Sequence, residues 1–230
     1  SGLYCRHHVW QNPNHQLPIA KNPSAAATTR PGFIYIYTYK HMYHSLITRS
    51  IADIDWLYLD ESLLSTRGKR RHWSSNNQIL CKIGMTTRSS VDTRLLEWQN
   101  TCKHPVINLT PERVHLLYES TRKSKTLAKI LSKLSLKESE VQQSNSKLQT
   151  YNSGGFYTDG KGPKTLATIE NTIHKQLWKR YGQGLIWCYG CDPEGHTRHK
   201  EWFRVPIKEL PLLLRYIDRV CSGYPGSIVH

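Results

Sequence analysis

Cysteine and histidine residues cluster near the C-terminal end of the chain at a spacing that suits a metal ion. Cys188 and Cys191 are three residues apart on a turn that contains Gly190, so both thiolates can approach one ion from the same side. His196 and His199 follow shortly after them. Thiolate and imidazole ligands in a tetrahedral set of four suit Zn²⁺. The sequence therefore predicts a zinc site in which Cys188 and Cys191 are the firm pair.

The charge balance of the chain indicates a polyanionic partner. Lysine and arginine outnumber aspartate and glutamate by 32 to 17 in 230 residues, which gives a net charge of +15. A globular domain this basic usually faces nucleic acid, although a merely basic protein or one that touches anionic lipid has the same composition. The segment 67–71 is either a solvated loop or an arm that contacts phosphates. The candidate nucleic-acid-binding residues are Arg67, Lys69, Arg70, Arg71 and Arg88.

The cysteines also bear on the compartment. Six cysteines would permit three disulfides, but a Cys-x-x-Cys pair beside histidines favours zinc in a reducing compartment. No signal peptide opens the chain, and no apolar run is long enough to span a bilayer. We therefore expect an intracellular, nuclear protein with no membrane partner.

Hydrophobic periodicity predicts an α/β fold. Residues 1–31 form an N-terminal arm without periodicity, residues 32–221 form one domain, and residues 222–230 form a tail. The predicted strands are Phe33–Tyr39, Ile79–Met85, Val114–Tyr118 and a short edge strand, Trp202–Val205. The predicted helices are Val91–Cys102, 121–138, Thr165–Tyr181 and Ile207–Cys221.

Two long segments lie between these elements. Residues 40–78 are expected to be irregular, and residues 139–163 are expected to form a long loop rich in Ser, Gln, Asn and Gly. The helix at 165–181 has a buried stripe at helical spacing: Leu166, Ile169, Ile173 and Leu177. The expected fold is a small antiparallel sheet of three to four strands, flanked by helices, with a zinc-braced C-terminal part.

Short motifs fall on these predicted elements in a defined order. They are Gly32 to Tyr35 on the first strand, Lys82 to Gly84 on the second, Arg94 on the next helix, Glu170 and His174 on a later helix, and Glu201 to Phe203 after it. In this order they resemble the GIY-YIG nuclease superfamily. More narrowly, they are similar to its divergent branch in phage and fungal proteins, including the fungal meiotically upregulated group. The resemblance covers roughly residues 32–205, and the second tyrosine of the family's name motif is Lys82 in this chain.

The resemblance implies a metal-dependent endonuclease that hydrolyses DNA phosphodiester bonds. Glu170 supplies a hard oxygen ligand suited to Mg²⁺ or Mn²⁺, and His174 is one helical turn away, so both could face one cleft. Arg94 can grip the scissile phosphate with two N–H donors. The resemblance makes Tyr35 the residue that orients or deprotonates the attacking water. As a base it needs a nearby positive charge to lower its pKa, and Lys82 could supply that charge or take the proton itself.

The sequence leaves several alternatives open. By the two-residue period of a strand, Tyr37 and Tyr39 point to the same face as Tyr35, so the tyrosine that reaches the site is not decided. Tyr35 and Lys82 are 47 residues apart, so the segment 40–78 is an insertion that caps or enlarges the cleft. A nucleic-acid-binding module without turnover and a zinc-stabilised protein-interaction domain are the other candidate functions. DNA is the favoured partner, RNA is the alternative, and oligomeric state is not predicted.

The resemblance also extends the zinc site. His199 stands two residues before Glu201, as in the fungal relatives, and this implies that it is a zinc ligand. The fourth ligand is Cys102, His196 or His104. Cys102 is favoured because a cysteine at the end of the helix that carries Arg94 would tie that helix to the C-terminal loop. Such a site would have no open position and would be structural.

Overall fold

A computed structural model describes the greater part of the chain. The described residues are 30–60, 70–123, 148–161, 164–182, 184–189, 191–194 and 198–224. Several predicted features lie outside them: the N-terminal arm up to residue 29, Arg67, Lys69, His196, most of the predicted helix 121–138, and the end of the C-terminal tail. Within the described residues, no helix has both the length and the apolar composition needed to cross a membrane.

In the part of the chain that the structure describes, nine strands form one antiparallel sheet. In chain order they are β1 (Gly32–Tyr39), β2 (Ala52–Asp60), β3 (Arg70–Ser75), β4 (Gln78–Thr86), β5 (Val106–Asn108), β6 (Tyr151–Asn152), β7 (Gly155–Thr158), β8 (Gly184–Cys188) and β9 (Arg198–Pro206). Their order across the sheet is β3-β2-β8-β9-β4-β1-β7-β6, and β5 also pairs with β1. The motif strands β1 and β4 are therefore direct neighbours near the centre.

Five α-helices are described around this sheet. They are α1 (Lys40–Ile47), α2 (Val91–Cys102), α3 (Pro111–Lys123), α4 (Leu166–Tyr181) and α5 (Leu210–Cys221), the last preceded by a short 3₁₀ helix, Ile207–Glu209. The predicted bounds of α2 are confirmed, and those of α4 are confirmed to within one residue. The Ser90 hydroxyl accepts from the Asp92 N–H and begins α2, and the Thr165 hydroxyl accepts from the Thr168 N–H at the start of α4.

The core includes both faces of the central strand β1, whose eight residues are all buried. Along β1 the odd-numbered tyrosines share one face, and Ile34 and Ile36 point to the other. The predicted stripe of α4 is confirmed, since Leu166, Ile169, Ile173 and Leu177 are all buried. Burial of so many aliphatic and aromatic side chains provides the main stabilising free energy of the fold.

The expected sheet of three to four strands is too small, because the described parts of the segment 40–78, residues 40–60 and 70–78, are not irregular. It contains α1, which buries Met42, Tyr43 and Leu46, and a hairpin of β2 and β3. The hairpin pairs with β8, and β8 pairs with β9, so these strands extend the sheet beyond β9. The predicted edge strand at Trp202–Val205 is consequently an interior strand, paired with β8 on one side and β4 on the other.

The predicted strand at Val114–Tyr118 is wrong, because these residues belong to α3. Val114 and Leu117, three residues apart, are buried, whereas Leu116 is exposed, which is the periodicity of a helix. The Thr110 hydroxyl accepts from the Arg113 N–H, and Pro111 occupies the first helical position. Thr110 and Pro111 therefore indicated the start of a helix in the sequence, but the short apolar run after them was interpreted as a strand.

The segment 139–163 is more ordered than predicted in the part that the structure describes. Residues 151–158 form the β6–β7 hairpin, and β7 pairs with β1. The turn of this hairpin, Ser153 and Gly154, has positive φ angles of 47° and 85°, which explains the small and polar residues there. In this part of the segment, the serine and glycine residues therefore form a tight turn between two strands.

Candidate active site and metal centre

Tyr35 lies at the centre of the predicted active site, opposite Gly84 on the neighbouring strand. The two residues are a cross-strand pair of β1 and β4. A Cβ atom at position 84 would lie 2.7 Å from the Tyr35 hydroxyl oxygen, so only glycine leaves room for the ring. The Tyr35 side chain is 2% exposed, and its hydroxyl oxygen accepts from Trp98 Nε1–H at 2.9 Å. Packing therefore fixes the position of this phenol.

The pKa of Tyr35 does not shift in the direction that a base requires. Burial raises it, while hydrogen bonds from Trp98 and Arg94 and the positive charge of Arg94 oppose the rise without cancelling it. Positive charge therefore acts on this pKa in the expected direction, but desolvation outweighs it and the net shift is upward. The charge comes from Arg94, whereas the sequence pointed to Lys82. The raised pKa suits Tyr35 to orient a water molecule through its hydroxyl group rather than to remove a proton.

Lys82 is buried opposite Tyr37, on the tyrosine-bearing face of the sheet, and contacts Glu201 and Trp98. Its side chain is 4% exposed, and its Nζ lies 3.1 Å from a carboxylate oxygen of Glu201 and 3.9 Å from the ring centroid of Trp98. A buried ammonium requires such a counter-charge, because its desolvation is otherwise costly. Glu201 is brought here by β9, in which Trp202 pairs with Lys82. Glu201 entered the sequence analysis only as part of a motif, without an indication of its ion pair with Lys82.

Arg94 reaches the same place from α2. It hydrogen-bonds to Tyr35, and its Nη1 lies 2.6 Å from a carboxylate oxygen of Glu97. The other carboxylate oxygen of Glu97 lies 3.0 Å from Arg88, whose side chain is largely exposed. Glu97 thus joins two guanidinium groups at one carboxylate. Both arginines were predicted to contact phosphate, and Glu97 was not predicted.

Glu170 completes the group from α4. Its carboxylate accepts from the backbone N–H of Met85, one residue after Gly84. Burial raises the pKa of Glu170 to about 7, and the negative charge of Glu201 adds to the rise, while Lys82 and Arg94 oppose it. The structure therefore brings Tyr35, Lys82, Arg94 and Glu170 together around one end of β4.

His174 lies one helical turn after Glu170 and packs against β4. Its side chain is 4% exposed, and its Nε2 is 3.0 Å from the carbonyl oxygen of Ile83. Its ring lies 5.4 Å from that of Phe203. The contact with the Ile83 carbonyl links α4 to β4. That His174 faces the cleft together with Glu170 stays a prediction.

The second cluster consists of three cysteines at the other end of the tyrosine-bearing face of β1. Among the described residues, the sulfur atoms of Cys102, Cys188 and Cys191 all lie within 4.8 Å of one another. Ligands about 2.3 Å from a tetrahedral Zn²⁺ would be roughly 3.8 Å apart, so the spacing and the soft donors fit such an ion. This group could hold a metal such as zinc, and the prediction that Cys102 joins Cys188 and Cys191 is confirmed.

Hydrogen bonds pre-organise the three thiols. The Cys102 and Cys188 sulfur atoms are 3.2 Å apart, and the Tyr39 hydroxyl lies 3.4 Å from the first and 3.6 Å from the second. Hydrogen bonds from Cys102, Cys191 and Tyr39 lower the pKa of Cys188, whereas the hydrogen bonds among the thiols and burial raise the pKa of Cys191. One sulfur is therefore poised to be a thiolate, which is the form that binds metal.

The candidate histidine ligands are placed differently. His199 lines a small cavity of about 10 Å³ together with Cys102 and Cys191, but it is not within the three-cysteine group itself. His104 stacks on Trp56 with ring centroids 3.5 Å apart, and burial lowers its pKa. His196 lies outside the described residues. His199 therefore shares a cavity with two of the three cysteines.

The predicted nucleic-acid-binding residues are only partly placed. Arg88 is described, and its ion pair with Glu97 connects it to the predicted active site. Arg70 and Arg71 lie at the start of β3, and Arg67 and Lys69 lie outside the described residues. The structure thus brings one of the five basic residues next to Arg94.

The fold and the cysteine cluster define an α/β protein with an antiparallel sheet, five described helices and a group of thiols able to hold a metal. The chain is 50% identical over 161 residues to the uncharacterized protein YPL034W of Saccharomyces cerevisiae, an alignment that covers 60% of this chain and 98% of the yeast protein. The chain belongs to the same family as that yeast protein. No family model and no solved structure matches the chain.

Proposed function

We propose that this protein is a metal-dependent endonuclease that hydrolyses DNA phosphodiester bonds. The observation that supports the proposal most is the convergence of Tyr35, Lys82, Arg94 and Glu170, from two strands and two helices, at one end of β4. A phenol, two cations and a carboxylate at one place suit attack of water on a phosphodiester, which requires an oriented nucleophile and neutralised phosphate oxygens. The net charge of +15 suits a polyanionic substrate.

Each side chain has a role that follows from its surroundings. Arg94 binds the scissile phosphate, with Arg88 beside it across Glu97. Tyr35 orients the attacking water, because its raised pKa does not suit proton removal. Glu170 offers carboxylate oxygens of the kind that Mg²⁺ and Mn²⁺ prefer, and it would hold such an ion. The ion would supply Lewis-acid stabilisation of the phosphate oxygens.

We infer that Cys102, Cys188, Cys191 and His199 hold a structural zinc ion. Support comes from the three sulfur atoms within 4.8 Å and from the cavity that His199 shares with two of them. Cys102 ends α2, and His199 is two residues before Glu201. A closed zinc site would therefore brace both the helix of Arg94 and the strand that supplies the partner of Lys82.

The test is nicking of supercoiled plasmid and of branched DNA in Mg²⁺ or Mn²⁺ by the wild type and by Glu170→Gln. We expect cleavage by the wild type and at least a roughly 100-fold loss in the variant, because the isosteric amide is a much weaker ligand for a hard cation. DNA binding should persist in both. Glu112→Gln is the matched control, since Glu112 is an exposed glutamate in the first turn of α3.

The outcomes separate the candidate functions. Cleavage that survives in Glu170→Gln would show that the metal is not held by Glu170. The ion pair between Arg94 and Glu97 favours a second candidate, a nucleic-acid-binding module without turnover, because the carboxylate occupies part of the guanidinium. That candidate is supported if no DNA is cleaved while DNA is bound with a steep salt dependence.

A further inference from the structure

Trp98 contacts three of the four residues assigned to the proposed reaction. Its Nε1–H donates to the Tyr35 hydroxyl oxygen at 2.9 Å, and its ring centroid lies 3.9 Å from Lys82 Nζ and 4.9 Å from Arg94 Cζ. From the sequence, this residue is notable only for its position one helical turn after Arg94. One indole on α2 thus touches residues of β1, β4 and its own helix.

We propose that Trp98 is a positioning residue of the active site, which fixes the Tyr35 hydroxyl with its N–H and holds Lys82 and Arg94 beside it with its ring. The proposal rests on the proposed nuclease function. Trp98 acts through these three side chains and not on the substrate itself.

The hydrogen bond to Tyr35 has only one direction. An indole nitrogen can donate but cannot accept, so the Tyr35 oxygen must be the acceptor. Arg94 also hydrogen-bonds to this oxygen. The phenol ring cannot move to avoid the two donors, because it is 2% exposed and packs over Gly84. The remaining O–H of Tyr35 is therefore directed away from Trp98, where it can orient a water molecule.

The ring of Trp98 solves a second problem, which is the repulsion between two cations. Lys82 and Arg94 both approach the indole, and an aromatic face attracts a cation through its negative quadrupole. Each cation also has one carboxylate, Glu201 for Lys82 and Glu97 for Arg94. The indole thus lets two like charges stay near one phenol in a partly buried site. A phosphate dianion in the transition state benefits from both.

The principal test is Trp98→Phe, which keeps an aromatic ring and removes the N–H donor. We expect the cleavage rate at saturating DNA to fall roughly 10- to 100-fold, because a small loss of orientation at a reacting group has that effect. The KM and the Kd for DNA in Ca²⁺, which permits binding without turnover, should stay within about threefold of the wild type. Trp178→Phe is the matched control, since Trp178 is a partly buried tryptophan on α4 whose ring contacts His174.

A double-mutant cycle separates positioning from packing. If Trp98 acts through Tyr35, then Trp98→Phe on a Tyr35→Phe background should cause no further loss of cleavage. The proposal would be overturned if the losses of cleavage rate of the two single variants multiplied in the double variant. Cleavage by Trp98→Phe at the wild-type rate would also overturn it. Parallel losses in DNA affinity and thermal stability would indicate a merely structural residue and would also overturn it.

A second measurement tests the proposal even if the Trp98→Phe protein does not fold. The chain has seven tryptophans, and their indole N–H groups are resolved in ¹⁵N-correlated NMR spectra. In Tyr35→Phe, one of these signals should move to the shift of an indole without its acceptor, and no movement would overturn the proposal. If the wild type cleaves no DNA, the proposed function is overturned, and this inference with it. If the wild type cleaves DNA and Trp98→Phe cleaves it equally well, the inference alone is overturned.

Discussion

At the residue scale, the charges of the predicted active site are arranged in close pairs. Lys82 is balanced by Glu201 and Arg94 by Glu97, at distances of 3.1 and 2.6 Å. Glu170 is in a different position, because burial and Glu201 both oppose its ionisation. Its negative charge is therefore disfavoured in the folded protein, and a divalent cation would relieve this cost.

This predicts that Glu170→Gln stabilises the protein at high pH. The carboxyl of Glu170 holds its proton more tightly in the folded state, where its pKa is about 7, than in the unfolded state. The protonated carboxyl of Glu170 thus contributes its full stabilisation of the folded protein when the pH is below the pKa of the unfolded state. This stabilisation is lost as the pH rises through 7. Without added divalent cation, we expect the variant to be more stable than the wild type at pH 8 by on the order of 1–2 kcal/mol.

Chemical denaturation at pH 4.5 and pH 8 checks this prediction. The difference in the free energy of unfolding between the variant and the wild type should shrink towards zero at pH 4.5. At that pH the side chain at position 170 is neutral in both folded proteins. Glu112→Gln is a control of opposite sign, because a hydrogen bond from the Thr110 hydroxyl lowers the pKa of Glu112. Equal stability of Glu170→Gln and the wild type at pH 8 would contradict the raised pKa.

At the scale of elements, one buried carboxylate joins the C-terminal helix to the β6–β7 hairpin. Asp218 of α5 is 7% exposed and accepts from the backbone N–H groups of Gln149 and Thr150 and from the Thr150 hydroxyl. The hairpin pairs with β1, the strand of Tyr35. Asp218 thus connects a helix in the core to the edge of the sheet through residues 148–150.

We expect Asp218→Asn to lower the free energy of unfolding by about 2 kcal/mol, because hydrogen bonds to a charged acceptor are stronger than those to an amide. The amide also offers one acceptor oxygen where the carboxylate offers two. Urea denaturation measures the loss. Asp159→Asn is the matched control, since Asp159 is exposed and accepts from the Lys161 N–H. If both variants lost the same free energy of unfolding, the hydrogen bonds of Asp218 would not stabilise the contact between α5 and residues 148–150.

At the scale of the whole molecule, the cysteine cluster joins parts of the chain that are far apart in sequence. Cys102 and Cys188 are separated by 86 residues, and Cys191 follows on the turn after β8. The cluster lies at the opposite end of the Tyr35–Tyr37–Tyr39 face from Glu170. Metal bound there would hold α2 against the β8–β9 hairpin, and both carry residues of the predicted active site.

This arrangement predicts close to one zinc per chain by elemental analysis. Cys188→Ser and the less buried Cys191→Ser should both lose most of the metal, and Tm should fall by on the order of 10 °C, since each kcal/mol corresponds to about 2–4 °C at this size. Cys221→Ala is the control, because Cys221 is a buried cysteine on α5 outside the cluster. A metal-free protein that folds as stably as the zinc-loaded one would contradict the structural role.

Local periodicity was enough to predict the elements that carry the site. The strand with Tyr35, the strand with Lys82 and the helices of Arg94 and Glu170 follow from patterns within a few residues, and the structure confirms them. The sequence also supplied Cys102 as a partner of Cys188 and Cys191. It failed where a short apolar run could be a strand or a helix, as in α3, and where insertions contributed strands that moved β9 into the sheet interior.

The meeting of the side chains of the site depends on packing between distant parts of the chain. The contact between Trp98 and Tyr35 spans 63 residues, and the ion pair of Lys82 with Glu201 depends on β9 lying next to β4. The burial that raises the pKa values of Tyr35 and Glu170 is likewise a property of the packed molecule. Local backbone preference acts over a few residues, whereas desolvation and charge pairing depend on the order in which strands and helices pack.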